Sequence, residues 1–463
     1  MKGSNSKDTG DGEETRCLPT PPPQSEVPSC GATPGIMLSD GGDGSSHRLI
    51  SLSDSAALPP VTVCVNGGEP ITLMGISQLE VRAFLVTARR QFLDVMNKAD
   101  MRRQIEQPFF GFGRTLKAIK NTDSNFSGSV VFTGETRELL GAIVPSLPKY
   151  LVIKMMPHFL HPDNPDVGRY TRSKNPLHRS DPSNVEAVIM LKLRQLVLNR
   201  ACPNILLLYK YMVVNDWHVV NNGMPIAALS GWITRSLKHP PSIRDSAVVM
   251  LMEHCRIGSL RGQAKASGLS TERWRSVLWQ IFYTLAVLDR EFPNFRHNDL
   301  HLGNILLQDT AANGDTPGCW RYEFDGATYH VPNAGLSARL SDFDWASADT
   351  FPNGKMAHVT VNPNFPPTTG RPVFDVHYLL NCVYSYANTP KSVRDFIRSL
   401  YPSSLRKAES TFVKKRRLVR GVLEEHPNLP VPADLLSHDW FSSYREGAPS
   451  GRIVLECYRY PAV

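Results

Sequence analysis

Downstream of about residue 119 the apolar positions change their period, first in twos and then in threes and fours. Runs in which apolar residues alternate or bunch, at Ser129–Thr133, Tyr150–Met155, Ile205–Met212 and Ala247–Met252, predict β-strands. Between the second and third, helical spacing over about Ser183 to Asn199 predicts a helix, with Asp181 as its cap and Pro182 in its first turn. Beyond Gly258 the pattern turns helical, with helices predicted at Glu272–Arg290, Val373–Asn388 and Lys391–Leu400. A strand-rich half joined to a helical half is an α+β arrangement of two lobes, a small β-rich N-lobe and a larger helical C-lobe. Upstream, Val61, Val63 and Val65 alternate as in a short strand. Val81, Leu85, Ala88, Phe92 and Met96 line one face of a helix predicted from Ser77 to about Ile105. Residues from Met1 to about Pro60 are rich in Gly, Ser, Pro and Asp and are expected to be disordered, since they bury too little surface to offset ordering entropy. The chain thus divides into a tail (1–60), an extension (61–118), an N-lobe (119–255), a C-lobe (256–445) and a C-terminal tail (446–463).

Composition narrows the class. Apolar content of 41% and aromatic content of 9% are those of a globular protein. The eight cysteines are scattered without a CxxC pair, which argues against a zinc ribbon or a disulfide framework and suits a reducing compartment. The most apolar helical stretch, Val277–Leu288, contains Gln280 and is too short to span a bilayer. No apolar signal segment opens the chain, so no membrane partner is expected and the setting reads as intracellular, cytoplasmic or nuclear. Net charge is +8, with the densest basic run at Lys414–Arg417, extended by Arg406, Lys407 and Arg420. Such a run serves as a localisation or nucleic-acid patch, or simply as a solvated helix face; the latter is expected here, because no nucleic-acid-binding fold accompanies it.

Two segments carry chemistry. The first is His297-Asn298-Asp299-Leu300-His301-Leu302-Gly303-Asn304, followed by apolar Ile305-Leu306-Leu307. Phosphoryl transfer requires a carboxylate beside the attacking hydroxyl and an oxygen ligand that holds magnesium on the phosphates; Asp299 and Asn304, five positions apart, are of those types. The second is Leu340-Ser341-Asp342-Phe343-Asp344-Trp345, an apolar strand ending in an acidic turn.

With these residues the chain resembles the protein-kinase-like superfamily, closest to the serine/threonine kinases of large DNA viruses and to haspin-like kinases. The resemblance implies a two-lobed enzyme that uses ATP and Mg2+ and phosphorylates Ser/Thr hydroxyls of a protein substrate. It makes Asp299 the catalytic carboxylate and Asn304 and Asp342 the magnesium ligands, with Asp344 in place of the usual glycine. Leu151-Val152-Ile153-Lys154 is similar to the strand whose lysine reaches the α- and β-phosphates, and Glu186 on the next helix is the residue to orient it. Asp123–Val130 fits the phosphate-covering loop only at Gly128 and Val130, and an ordinary hairpin is the other reading of it. Glu253-His254-Cys255 resembles the hinge whose backbone binds adenine, behind Met252. The resemblance implies that Asp375 caps backbone groups of the catalytic loop, and a simple helix N-cap is the other reading of it. The aromatic insert Trp320–Val331 is hairpin-like, and Leu436–Phe441 looks like the close of the helical lobe.

Two departures keep other readings open. His301 stands where such enzymes carry a lysine that contacts the γ-phosphate, and Asn362–Pro367 occupies the place of an Ala-Pro-Glu motif. Haspin-like and viral kinases share both traits, and so do small-molecule kinases of the aminoglycoside- and choline-kinase type. A pseudokinase scaffold is the third reading, suggested by the degenerate loop at Asp123–Gly128 and the long tails. Association with a virion stays open if the chain is viral.

Overall fold

The structure, a computed structural model, describes residues 182–266, 268–310, 318–351, 372–445 and 453–460 with the exception of 216–242 and 352, together with 353, 447 and the strand segments 61–63, 71–73, 117–118, 130–135 and 150–159. The sequence expectations for residues 1–60, for the helix at 77–105 and for the loop carrying Asp123 and Gly128 lie outside these residues. So do Asp181, Val65 and the segment Asn362–Pro367.

β1 (Val61–Val63) and β2 (Ile71–Leu73) form a small antiparallel pair. The main sheet has five antiparallel strands in the order β3-β4-β5-β7-β6, comprising β3 (Lys117–Ala118), β4 (Val130–Glu135), β5 (Tyr150–Phe159), β6 (Leu208–Asn215) and β7 (Ile243–Glu253). Central β5 sets Lys154 opposite Val131 on one side and Met250 on the other. Val152, Ile153 and Met156 are buried beside it, so this lysine emerges from an apolar strand. Against the sheet lies α1 (Pro182–Leu198), whose buried positions Val185, Ile189, Leu193 and Leu196 recur at helical spacing. The strand expected from Ile205 begins three residues later. Ile205 and Leu206 bond instead to Leu340, and β6 starts only once the chain has left that contact.

After β8 (Gly258–Ser259) and α2 (Leu260–Ala266) comes α3 (Thr271–Glu291), the axis of the helical half. Ser270 caps it by accepting a hydrogen bond from the Arg273 amide. Its residues from Ser276 to Leu288 are all buried, because other elements cover it on every side. β9 (Ile305–Asp309) pairs with β8, and part of the cover on α3 comes from β10 (Gly318–Phe324) and β11 (Ala327–Pro332). The expected aromatic hairpin is thus present, and it delivers Tyr322 and Tyr329 to within 4.9 and 5.1 Å of the Trp279 ring. The polar residue inside this apolar helix has a structural cause. Gln280 accepts from Asn204 Nδ2 at 2.8 Å and from the Ala338 amide at 2.9 Å, tying the helix to β12 (Leu336–Leu340).

α4 (Val373–Ser385) and α5 (Lys391–Leu400) follow. α4 stops short of the expected Asn388: Thr389 Oγ1 donates to Val383 O and Arg394 Nη2 to Tyr386 O, so side chains replace the next helical turn. The basic run Lys414–Arg417 is not a helix face. It forms the hairpin β13 (Val413–Lys414) and β14 (Arg417–Leu418), whose two-residue turn puts Lys415 and Arg416 at φ 48° and 66°, the left-handed conformations such a turn requires. Two short helices, α6 (Val422–Glu425) and α7 (Pro432–Leu436), lead to a 3-10 turn at Asp439–Tyr444 that covers α3 beside Phe282. The last segment forms β15 (Ile453–Arg459), which pairs in parallel with β10 and buries Tyr458.

Among the described residues no helix is long and apolar enough to cross a membrane. Cys202, Cys255, Cys319 and Cys382 are buried free thiols, and Cys457 is exposed.

Candidate active site

β9 and β12 pair in register with Ile305 opposite Leu340, so the residue before one strand meets the residues after the other. Ser341 donates both its amide and its hydroxyl to Asn304 O, each at 2.9 Å. That pairing brings Asn304 and Asp342, 38 residues apart in sequence, to the same end of the two strands. Asp342 has a left-handed backbone (φ 62°, ψ 63°), which turns the chain sharply out of the sheet before Phe343–Trp345. Asp344, in that turn, is buried, and its carbonyl accepts from Asn353.

Lys154 sits between two acids. Its Nζ lies 2.6 Å from Glu186 Oε2 and 2.8 Å from Asp342 Oδ1. β5, α1 and the turn after β12 therefore converge on one ammonium. Burial works against the charged lysine, yet Asp342, Glu186 and Asp344 outweigh it and hold the pKa above its ordinary value. For Glu186, burial is the largest influence and pushes the carboxyl upward, while Lys154 opposes it.

The catalytic-loop candidates are fixed by α4. Asp375 accepts from the amides of His297 and Asn298, at 2.7 and 3.0 Å, and from Arg296 Nε at 3.2 Å. His297 Nε2 is 3.0 Å from Ser341 O, which binds the loop to the acidic turn. Asn298 has a positive φ of 64° and donates from its side chain to Trp345 O. Within this frame Asn304 Nδ2 donates to Asp299 O at 2.9 Å and approaches Asp299 Oδ2 at 3.4 Å. Asp299 keeps a quarter of its side chain exposed and Asp342 about a third, so both carboxylates can be reached from solvent. Burial lowers the His301 pKa, with Asp299 opposing the effect and Arg261 adding to it.

The donor set suits magnesium, a hard cation that takes oxygen ligands. Asn304 uses its Nδ2 toward Asp299, which leaves its amide oxygen for a cation, and Asp342 adds a carboxylate at the same strand ends.

The other expected site residues are placed as follows. Glu253 ends β7 and its amide donates to Leu207 O at 2.9 Å, while its carboxylate accepts from the Leu207 amide at 3.3 Å. Cys255 is buried, and its carbonyl accepts from Gly258. Val130 opens β4 opposite Met155, and Gly128 lies outside the described residues.

One residue of the site escaped the sequence reading. Arg417, from the basic hairpin, reaches across to donate to Asn298 O and to Asp299 Oδ1. Its guanidinium lies 3.9 Å from the centre of the Tyr378 ring. Nothing in a four-residue basic run distinguishes its last member; only the hairpin turn does.

No protein-family model matches the chain. Curated relatives do. A "Putative serine/threonine-protein kinase" of Acanthamoeba polyphaga mimivirus is 25% identical over 303 residues, covering 60% of this chain and 64% of the relative. The serine/threonine-protein kinase haspin of Mus musculus is 28% identical over 141 residues, 29% of this chain and 18% of haspin. Haspin of Bos taurus is 27% identical over 146 residues, 29% of the chain and 17% of the relative. The chain thus spans under two thirds of the length of each of these relatives. The resemblance to the protein-kinase-like superfamily, and to viral and haspin kinases within it, is borne out, and the relatives' names support a kinase.

Proposed function

We propose that the chain is an ATP- and magnesium-dependent phosphotransferase with a two-lobed kinase architecture, transferring the γ-phosphoryl group of ATP to Ser/Thr hydroxyls of a protein substrate. The observation that carries this reading is the convergence of Lys154, Glu186 and Asp342 within 2.8 Å contacts, beside an Asn304 that holds Asp299. Three separate elements supply these groups, and an ordinary core has no use for a buried lysine between two acids.

In this reading Lys154 binds the α- and β-phosphates and Glu186 keeps its ammonium on target. Asn304 and Asp342 hold magnesium, which neutralises phosphate charge when bound. Asp299 orients the acceptor hydroxyl and takes its proton as the acceptor oxygen bonds to the γ-phosphorus. The bond from that phosphorus to the bridging oxygen breaks, and ADP leaves with the electron pair. Positioning and charge stabilisation supply most of the rate. The backbone of Glu253–Cys255 takes adenine, and Gly128 with Val130 covers the phosphates. The lobes meet near residue 255, with the segment 61–118 as an extension and an intracellular setting for the whole.

The test is incubation with γ-labelled ATP, magnesium, a protein acceptor pool and small hydroxyl acceptors, beside Asp299→Asn. Label in acid-precipitable protein, lost in the variant, is expected. Label only in small acceptors would make the enzyme a small-molecule kinase. ATP binding without transfer would make it a scaffold.

A further inference from the structure

Phosphoryl transfer gathers negative charge between the attacking oxygen and the leaving group, and a fixed cation near the attacking end lowers that barrier. Lys154 is held at Glu186 and Asp342, and His301 stands with its Nε2 3.8 Å from Asp299 Oδ2, beyond hydrogen-bond distance.

The charge beside Asp299 comes instead from a residue 118 positions away. Arg417 donates through Nη2 to Asp299 Oδ1 and through Nη1 to Asn298 O, so one planar guanidinium grips the carboxylate and the backbone just before it. Its side chain is 19% exposed, with the guanidinium carbon 3.9 Å from the centre of the Tyr378 ring on α4, which confines it further. The hairpin that presents it is itself tied to α4, since Asn381 Nδ2 donates to both Lys407 O and Arg416 O. α4 therefore fixes the catalytic loop through Asp375 and, two turns on, the hairpin through Asn381. The geometry also leaves work for the second carboxylate oxygen: with Oδ1 held by Arg417, Oδ2 is the atom that can meet a hydroxyl.

We propose that Arg417 is a positioning residue of the phosphotransfer site, fixing Asp299 through Oδ1 and bringing a positive charge to it from the hairpin at 413–418. This rests on the phosphotransferase reading above. Arg417 restrains one rotamer of Asp299 and offsets the charge of its carboxylate. An arginine suits this better than a lysine, because two parallel donors are needed in one plane.

The test compares the full-length wild-type chain with Arg417→Ala, Arg417→Lys and Lys414→Ala, the last an exposed neighbour on the same hairpin. Steady-state transfer from γ-labelled ATP and urea unfolding midpoints are measured for each. Arg417→Ala is expected to lower kcat by about 10²-fold with KM for ATP unmoved, the size of loss that a misplaced reacting group produces. Millimolar guanidinium should restore part of that rate in Arg417→Ala and none in Asp299→Asn. Arg417→Lys should fall between, and Lys414→Ala should match wild type. A wild-type kcat in Arg417→Ala would overturn the proposal. So would a loss that tracks a lowered unfolding midpoint and responds neither to guanidinium nor to the lysine variant, since the arginine would then be a strut alone. If the wild-type chain transfers no label at all, the phosphotransferase reading fails first and takes this inference with it.

Discussion

Replacing Asp375 with alanine should destabilise the protein more than any single change to the exposed acids. The carboxylate is 1% exposed and receives three donors: the amides of His297 and Asn298 and the Nε of Arg296, which is equally buried. Alanine removes all three acceptor contacts at once. Losing one member of a buried ion pair costs about 3–5 kcal/mol, because the remaining charge stays out of water without its partner. Orphaning a buried amide costs about 1–3 kcal/mol. The contributions overlap, since one group makes every contact, and Arg296 retains its stacking on Phe374 at 4.8 Å. A net loss of about 4 kcal/mol is therefore expected. The assay is urea unfolding followed by tryptophan fluorescence, read as a midpoint shift at constant slope. Asp375→Asn should recover little, because its amide turns an NH2 toward groups that are themselves donors. Adding Arg296→Met to Asp375→Ala should recover a good part, since it removes the stranded charge. A shift below about 0.5 kcal/mol for Asp375→Ala, the range of a bland surface change, would refute the reasoning.

Two further predictions concern charge. Lys154→Ala should lower phosphotransfer about 10²–10³-fold, as expected for loss of one preorganised donor, and an unchanged rate in the labelled-ATP assay would exclude Lys154 from the site. His377 is fully buried against Tyr401, with Nε2 2.7 Å from Leu405 O, and burial pushes its pKa down to about 4. The unfolded chain binds this proton below about pH 6.5 and the folded chain only below about 4, so its contribution to stability is complete above 6.5 and is lost as pH falls toward 4. At about 1.4 kcal/mol per unit the loss is about 3 kcal/mol, and His377→Gln should flatten that part of the stability–pH curve. An equally steep curve in the variant would assign the proton elsewhere.

Much of this molecule is local in origin and therefore legible along the chain. The strand that carries Lys154, the helix that carries Glu186 and the aromatic insert at 320–331 each announce themselves by period and composition, because a strand or helix must bury one face whatever it packs against. The motif around Asp299 and Asn304 is likewise contiguous. Its capping by Asp375 was anticipated only through resemblance, since a helix N-cap gives the same sequence.

Other features depend on contacts between distant segments. Gln280 looks like a flaw in an apolar helix until Asn204 and Ala338 arrive to satisfy it. Residues 453–459 become a strand by pairing in parallel with β10, which lies far away in the sequence. The basic run 414–417 contains nothing that separates Arg417 from its three neighbours. The turn at Lys415 and Arg416 sends one guanidinium to Asp299, while Lys414, Lys415 and Arg416 stay exposed. Sequence determined which segments could be strands, helices and acid-bearing turns, because those preferences arise within a few residues. Tertiary structure decided which charges meet, because a buried ion pair forms only where the fold brings both partners out of water together.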